Sequence, residues 1–187
     1  MDEHMKKVVL RWWQSMFLPP SELLTKHLQA APTAHKAQLK RCESADAAMM
    51  TEGFRSLWLQ LPDEVINNDA SQHIECWATI AAILVHVKKD VDSNIATQAG
   101  KKGNGDNSLV SELRFAQLQN AKTPEDFARR MRRIVQQIKG EVSVLSLAND
   151  IQQWFVEHYQ FRRRSVKNRI SIRWAMDYYR AASSKIK

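Results

Sequence analysis

The sequence has little of what most small-domain classes need. It holds two cysteines, five glycines and five prolines in 187 residues. Two cysteines, Cys42 and Cys76, cannot build a disulfide framework and share no metal-ligand spacing; they read as two reduced thiols used as small hydrophobes. So few glycines and prolines, with 44% hydrophobic and 26% charged residues, exclude a collagen-like, low-complexity or wholly disordered chain. No apolar run reaches the roughly 18 residues that would cross a bilayer, and the best candidate, Trp77 to Val87, is cut by His86, Lys88 and Lys89. No cleavable leader pattern opens the chain. A cytoplasmic protein with no membrane partner is expected.

Catalytic constellations are missing too. The six histidines (His4, His27, His35, His73, His86 and His158) form no paired-ligand motif. There is no nucleophile elbow, phosphate loop or dinucleotide fingerprint. Acids stand singly or at helix starts, where they complement the dipole. The expectation is a protein that is not an enzyme and carries no cofactor or metal.

Basic charge is present and uneven. Residues 1–95 carry ten Lys or Arg against twelve Asp or Glu, whereas residues 96–187 carry eighteen against eight. Such asymmetry points to a polyanionic partner met mainly by the second half.

The punctuation is helical. Residues 5–17 carry Val8, Val9, Trp12, Trp13 and Met16 and stop at Pro19-Pro20. Trp12 and Trp13 cannot both face one core across a single helix face, so one is expected at an interface. A short helix follows from Ser21, another from Thr33 to about Arg41, and one or two within 45–61. Ile74, Trp77, Ile80, Ala81, Leu84 and Val85 mark a long central helix over about 70–89. Residues 96–107, with Gly100, Gly103 and Gly105 among Lys101, Lys102 and Asn107, read as a mobile loop or linker. The domains expected are therefore 1–95, N-terminal and helical; 96–107, the linker; and 108–187, C-terminal and basic. Four helices are expected in the last, over about 108–120, 124–139, 144–158 and 163–183. The fold class is all-α: two small helical lobes, the C-terminal one a four-helix bundle.

Two segments concentrate the basic residues. On a helical wheel over 124–138, Phe127, Met131, Ile134 and Ile138 form one stripe, leaving Arg129, Arg132, Arg133 and Gln136 opposite. No acid stands between Arg129 and Lys139, so this face is expected to be unpaired and to need an external anion. Arginine suits phosphate because its planar fork donates two parallel hydrogen bonds. The second segment places Arg162, Arg163, Arg164, Lys167 and Arg169 at the expected start of the last helix, where cations oppose the dipole. Beyond them, Val166, Ile170, Trp174 and Tyr178 make one apolar stripe and Ile172, Ala175, Met176 and Tyr179 another, with Arg169, Arg173 and Arg180 between. Trp174 and Tyr178 are expected inside and Arg173 at the edge, facing nucleic acid. Trp58, Trp77 and Trp154 read as core rather than as base-stacking platforms.

Ser111-Glu112-Leu113-Arg114-Phe115, Leu118, Met131-Arg132-Arg133-Ile134-Val135, Leu145, Leu147, Trp154 and Arg173-Trp174-Ala175-Met176-Asp177-Tyr178-Tyr179 together resemble the CasB family. Trp12 or Trp13, Lys40-Arg41 and Phe54-x-x-Leu57 add weaker matches. CasB is the small subunit of the type I-E CRISPR surveillance complex, Cascade. The resemblance implies two helical lobes without catalysis, and two copies stacked head to tail along the CasC filament beside CasA, CasD and CasE. Such a pair would hold the R-loop that guide RNA forms with target DNA, where base pairing reads sequence and protein holds backbone. Lys40, Arg41 and Arg114 join the candidate nucleic-acid contacts on this ground. Rival readings are a stand-alone helical DNA-binding regulator, which needs base-reading residues near a recognition-helix start, and a protein-interaction adaptor whose charge is incidental.

Overall fold

The computed structural model describes residues 1–103, 105–160 and 165–184, and it divides into two compact units, Met1–Val85 and His86–Lys187. Twelve α-helices and one 3-10 turn form among the described residues, which hold isolated bridges but no β-strand; the protein is all-α. No helix among the described residues is long and apolar enough to cross a membrane.

The first unit builds on α1 (Glu3–Phe17), whose start Asp2 caps by accepting from the Met5 amide at 2.8 Å. Then come α2 (Pro20–Thr25), α3 (Thr33–Arg41), α4 (Ala45–Met49), α5 (Glu52–Trp58), α6 (Asp63–Ile66) and α7 (Ser71–Leu84). Every residue of α7 from Cys76 to Leu84 is buried, and α3, α4 and α5 pack on it. A helix apolar all round has to be enclosed. Trp12 and Trp13 are both buried, which corrects the expectation that one of them faces a partner. Helices α3 and α5 both pack on α1, so its apolar face is wider than one stripe. The Trp12 indole donates to the Gly53 carbonyl at 2.9 Å, and Trp13 stacks on Phe17 at 5.0 Å.

The second unit has α8 (Ile95–Gly100), α9 (Glu112–Gln119), α10 (Pro124–Gln137), α11 (Val144–Tyr159), the 3-10 turn Val166–Asn168 and α12 (Ile170–Ser183). The short α8 joins the four helices expected there. It also revises the 96–107 linker, because Ile95, Ala96, Ala99 and Gly100 are all buried. Gly100 is a close-approach residue: a Cβ there would lie 2.3 Å from the Tyr178 carbonyl oxygen of α12. Asn94 caps α8 through the Thr97 amide and donates to Asp177 of α12 at 2.9 Å. The chain then turns back on itself, Leu109 donating to Lys101 at 2.8 Å and Val110 to Ala99 at 3.0 Å. The division between the units therefore falls at Val85/His86. The last helix also begins later than expected, at Ile170, since Val166 to Asn168 form a separate 3-10 turn.

Stacked aromatics centre this unit. Phe127 of α10 lies 4.1 Å from Trp154 of α11, and Phe115 of α9 lies 4.7 Å from Tyr178 of α12. The buried Tyr178 hydroxyl donates to the Val110 carbonyl at 2.7 Å, so its polar end is satisfied.

Candidate nucleic-acid interface

Helix α10 is set by its start and its stripe. Thr123 accepts from the Asp126 amide at 3.2 Å, Pro124 occupies the first turn, and Glu125 and Asp126 complement the dipole there. Phe127, Met131, Ile134 and Ile138 are all buried, so the orientation of the helix follows from its apolar residues. Arg129 and Arg133 are consequently exposed.

Three expectations about this face are corrected. It is not unpaired: Asp126 Oδ1 accepts from Arg129 Nη2 at 2.6 Å and from Arg130 Nε at 2.7 Å. The acid lies one turn before the arginines, where i,i+3 and i,i+4 partners belong. The Arg130 hydrogen bond, opposed by partial desolvation and joined by the bond from Arg129, holds the Asp126 carboxyl below the usual range. Arg132 is not outward: it is half-buried, and its Nε is shielded from solvent. Arg130, which the wheel left off the basic face, faces the same groove as Arg133.

That groove, of about 480 Å³, runs between α9 and α10 and is lined by Arg114, Gln117, Arg130, Arg133, Ile134, Gln136 and Gln137. Arg130 Nη1 donates to the Gln117 carbonyl at 2.6 Å, tying the two helices together at the groove. Three guanidiniums and three side-chain amides offer many donors, and one apolar side chain floors the space. This set suits phosphate and sugar oxygens. The sequence signal for Arg130 was its position four residues after Asp126.

The remaining candidates are dispersed. Lys40 and Arg41 are exposed in the last turn of α3, in the first unit, where cations complement a helix C-terminus. Lys167 is exposed in the 3-10 turn, and Arg169 is half-buried as the residue before α12. Arg162, Arg163 and Arg164 lie outside the described residues. The expected ridge on α12 is already engaged. Arg180 pairs with Asp177 at 3.4 Å, and Arg173, exposed at the edge of the helix as expected, is also held by a buried acid. Its Nη2 lies 3.1 Å from Asp150 Oδ1, and its Nη1 donates to Gln153 Oε1 at 2.8 Å. Asp150 is a buried carboxylate, and its pKa is pushed up to about 6 by burial, against the Trp174 hydrogen bond and the Arg173 charge. On the second apolar stripe Met176 and Tyr179 are exposed, while Ile170, Trp174 and Tyr178 are buried as expected.

No group of three or more His, Cys, Asp or Glu side chains among the described residues could hold a metal ion. The family model of the CRISPR-associated protein Cse2 matches residues 35–179, a span that includes the whole α9–α10 groove. No curated protein and no solved structure matches the chain. With most of its length matched, and with the all-helical fold just described, this chain belongs to the Cse2 (CasB) family of CRISPR-associated proteins and so to the subunits of Cascade.

Proposed function

We propose that the protein is a non-catalytic small subunit of a type I-E Cascade complex, and that it holds nucleic-acid backbone through the groove between α9 and α10. The carrying observation is the convergence of Arg114, Arg130 and Arg133 from two helices on one concavity lined by glutamines. Arginine forks bind phosphate whatever the base, which fits a complex in which guide RNA does the reading. The excess of cations in residues 96–187 supports the same reading. In this proposal the strand held belongs to the R-loop of guide RNA and target DNA. CasA, CasC, CasD and CasE are the neighbouring subunits, with a second copy of the chain head to tail. Arg129, Lys167 and Arg169 extend the contact surface of the second unit, and Lys40 and Arg41 contribute from the first. Arg132 and Arg173 act on structure before they act on nucleic acid.

The test is DNA retention by assembled Cascade carrying Arg114→Ala with Arg133→Ala. Each lost phosphate contact should lower the log–log salt slope by about 0.7 to 0.9. Unchanged affinity and unchanged slope would refute the reading.

A further inference from the structure

Arg130 is gripped from two sides. Its Nε donates to Asp126 Oδ1 at 2.7 Å, and its Nη1 donates to the Gln117 carbonyl at 2.6 Å. The remaining nitrogen, Nη2, has no hydrogen bond to another described residue, and the side chain lines the groove. Arg129 shares the same carboxylate oxygen at 2.6 Å, and the Asp126 side chain is only 19% exposed.

A carboxylate beside a phosphate site looks counterproductive, because it repels the ligand. It has one compensating use: a long side chain held in place before binding loses less freedom when the ligand arrives. From this geometry we infer that Asp126 is a positioning residue of the groove, clamping the Arg130 guanidinium against the Gln117 carbonyl so that its free edge meets a phosphate oxygen. The inference rests on the proposed function, since it takes the groove as the place where backbone is held. Charge alone makes the opposite prediction, and this separates the two. Removing the Asp126 charge should tighten binding if Asp126 merely neutralises its neighbours, and weaken it if Asp126 positions Arg130.

The experiment measures binding of the full-length protein to a fluorescent single-stranded DNA of mixed sequence, at a temperature well below melting. Asp126→Asn should weaken binding about threefold to tenfold, despite the gain in net positive charge, as expected for one misplaced charge-assisted contact. Asp126→Glu, which reaches Arg130 at the same i,i+4 spacing, should restore it. Arg130→Lys, which keeps the charge but cannot bridge carboxylate and carbonyl with a rigid fork, should weaken binding to a similar extent. Adding Asp126→Asn to Arg130→Ala should cost nothing further. A purely structural role for Asp126 at the helix start would lower the melting temperature without moving the affinity of the folded protein, and would overturn the inference. So would equal or tighter binding by Asp126→Asn while Arg133→Ala weakens it, an outcome that leaves the groove reading standing. If Arg114→Ala and Arg133→Ala both bind as the wild type does, the groove reading fails first and the inference falls with it.

Discussion

The indole nitrogen of Trp174 donates to Asp150 Oδ2 at 2.8 Å, beneath a surface that leaves the Asp150 side chain 4% exposed. The other carboxylate oxygen takes Arg173, the neighbouring residue on α12. One buried acid therefore joins two residues for which the sequence suggests opposite roles, a core tryptophan and a surface arginine.

Truncating either should be felt in stability. Trp174→Ala should cost about 3 to 5 kcal/mol, the usual range for a buried tryptophan. The sequence alone suggests that Arg173→Ala is silent. The structure predicts instead a loss of about 1 to 2 kcal/mol, because removing Arg173 leaves a buried carboxylate without its counter-charge while water at the partly exposed site screens part of the effect. Urea denaturation of both variants measures this, and an Arg173→Ala midpoint equal to the wild type would contradict it.

Asp150 also predicts a pH dependence with a defined sign. Its folded pKa of about 6 lies above the ordinary carboxylate value, so between about pH 4 and pH 6 the folded state binds more protons than the unfolded state. The stability contributed by Asp150 is therefore complete below that window and is lost as pH rises through it. Asp150→Asn should abolish this part of the slope in melting curves taken from pH 4 to 8. In Arg173→Ala the decline should extend to higher pH, because the charge that holds the pKa down is gone. A wild-type slope retained in Asp150→Asn would show that another group carries it.

Arg132 and Arg133 are adjacent in sequence but should separate experimentally. Arg133 is exposed in the groove, so Arg133→Ala should change stability by less than about 0.5 kcal/mol while weakening DNA binding. Arg132, half-buried with its Nε shielded from solvent, should lose about 1 kcal/mol or more on truncation, through lost packing of its stem. Thermal melting paired with DNA titration distinguishes them, and identical profiles would undo the assignment.

Gly100→Ala tests the contact between α8 and α12. The added Cβ would sit 2.3 Å from the Tyr178 carbonyl oxygen and 3.1 Å from the Ala181 Cβ, and backbone cannot swing aside as a side-chain tip can. The loss should be about 1 to 3 kcal/mol. Gly105, which has open space around it, is a poor control because its φ of +88° strains any side chain. Gly103→Ala, nearest to a flexible Leu109 methyl at 3.3 Å, is the better one and should be much milder. Equal effects at the two positions would mean that crowding at Gly100 is not what matters.

Helix by helix, much was legible in the sequence, because amphipathic spacing, caps and prolines are local. Thr123-Pro124 opens α10, Pro19-Pro20 ends α1, and the Phe127–Ile138 stripe is buried in the structure as its spacing requires. The resemblance to CasB likewise rested on local strings and agrees with the family match. Composition misled where one residue type serves two ends. Gly100 counts as loop composition in the sequence, but in the fold it is the point where two helices touch. Only tertiary structure could decide which basic residues are available. Arg173 meets Asp150 from 23 positions away, and Arg130 meets the Gln117 carbonyl from 13, and no periodicity within one helix encodes either meeting. The sequence sets how many charges the chain carries and which face of each helix is apolar. Whether an arginine is spent on a buried acid or left for a phosphate depends on which helix packs against it, and that is settled by how the apolar faces fit together.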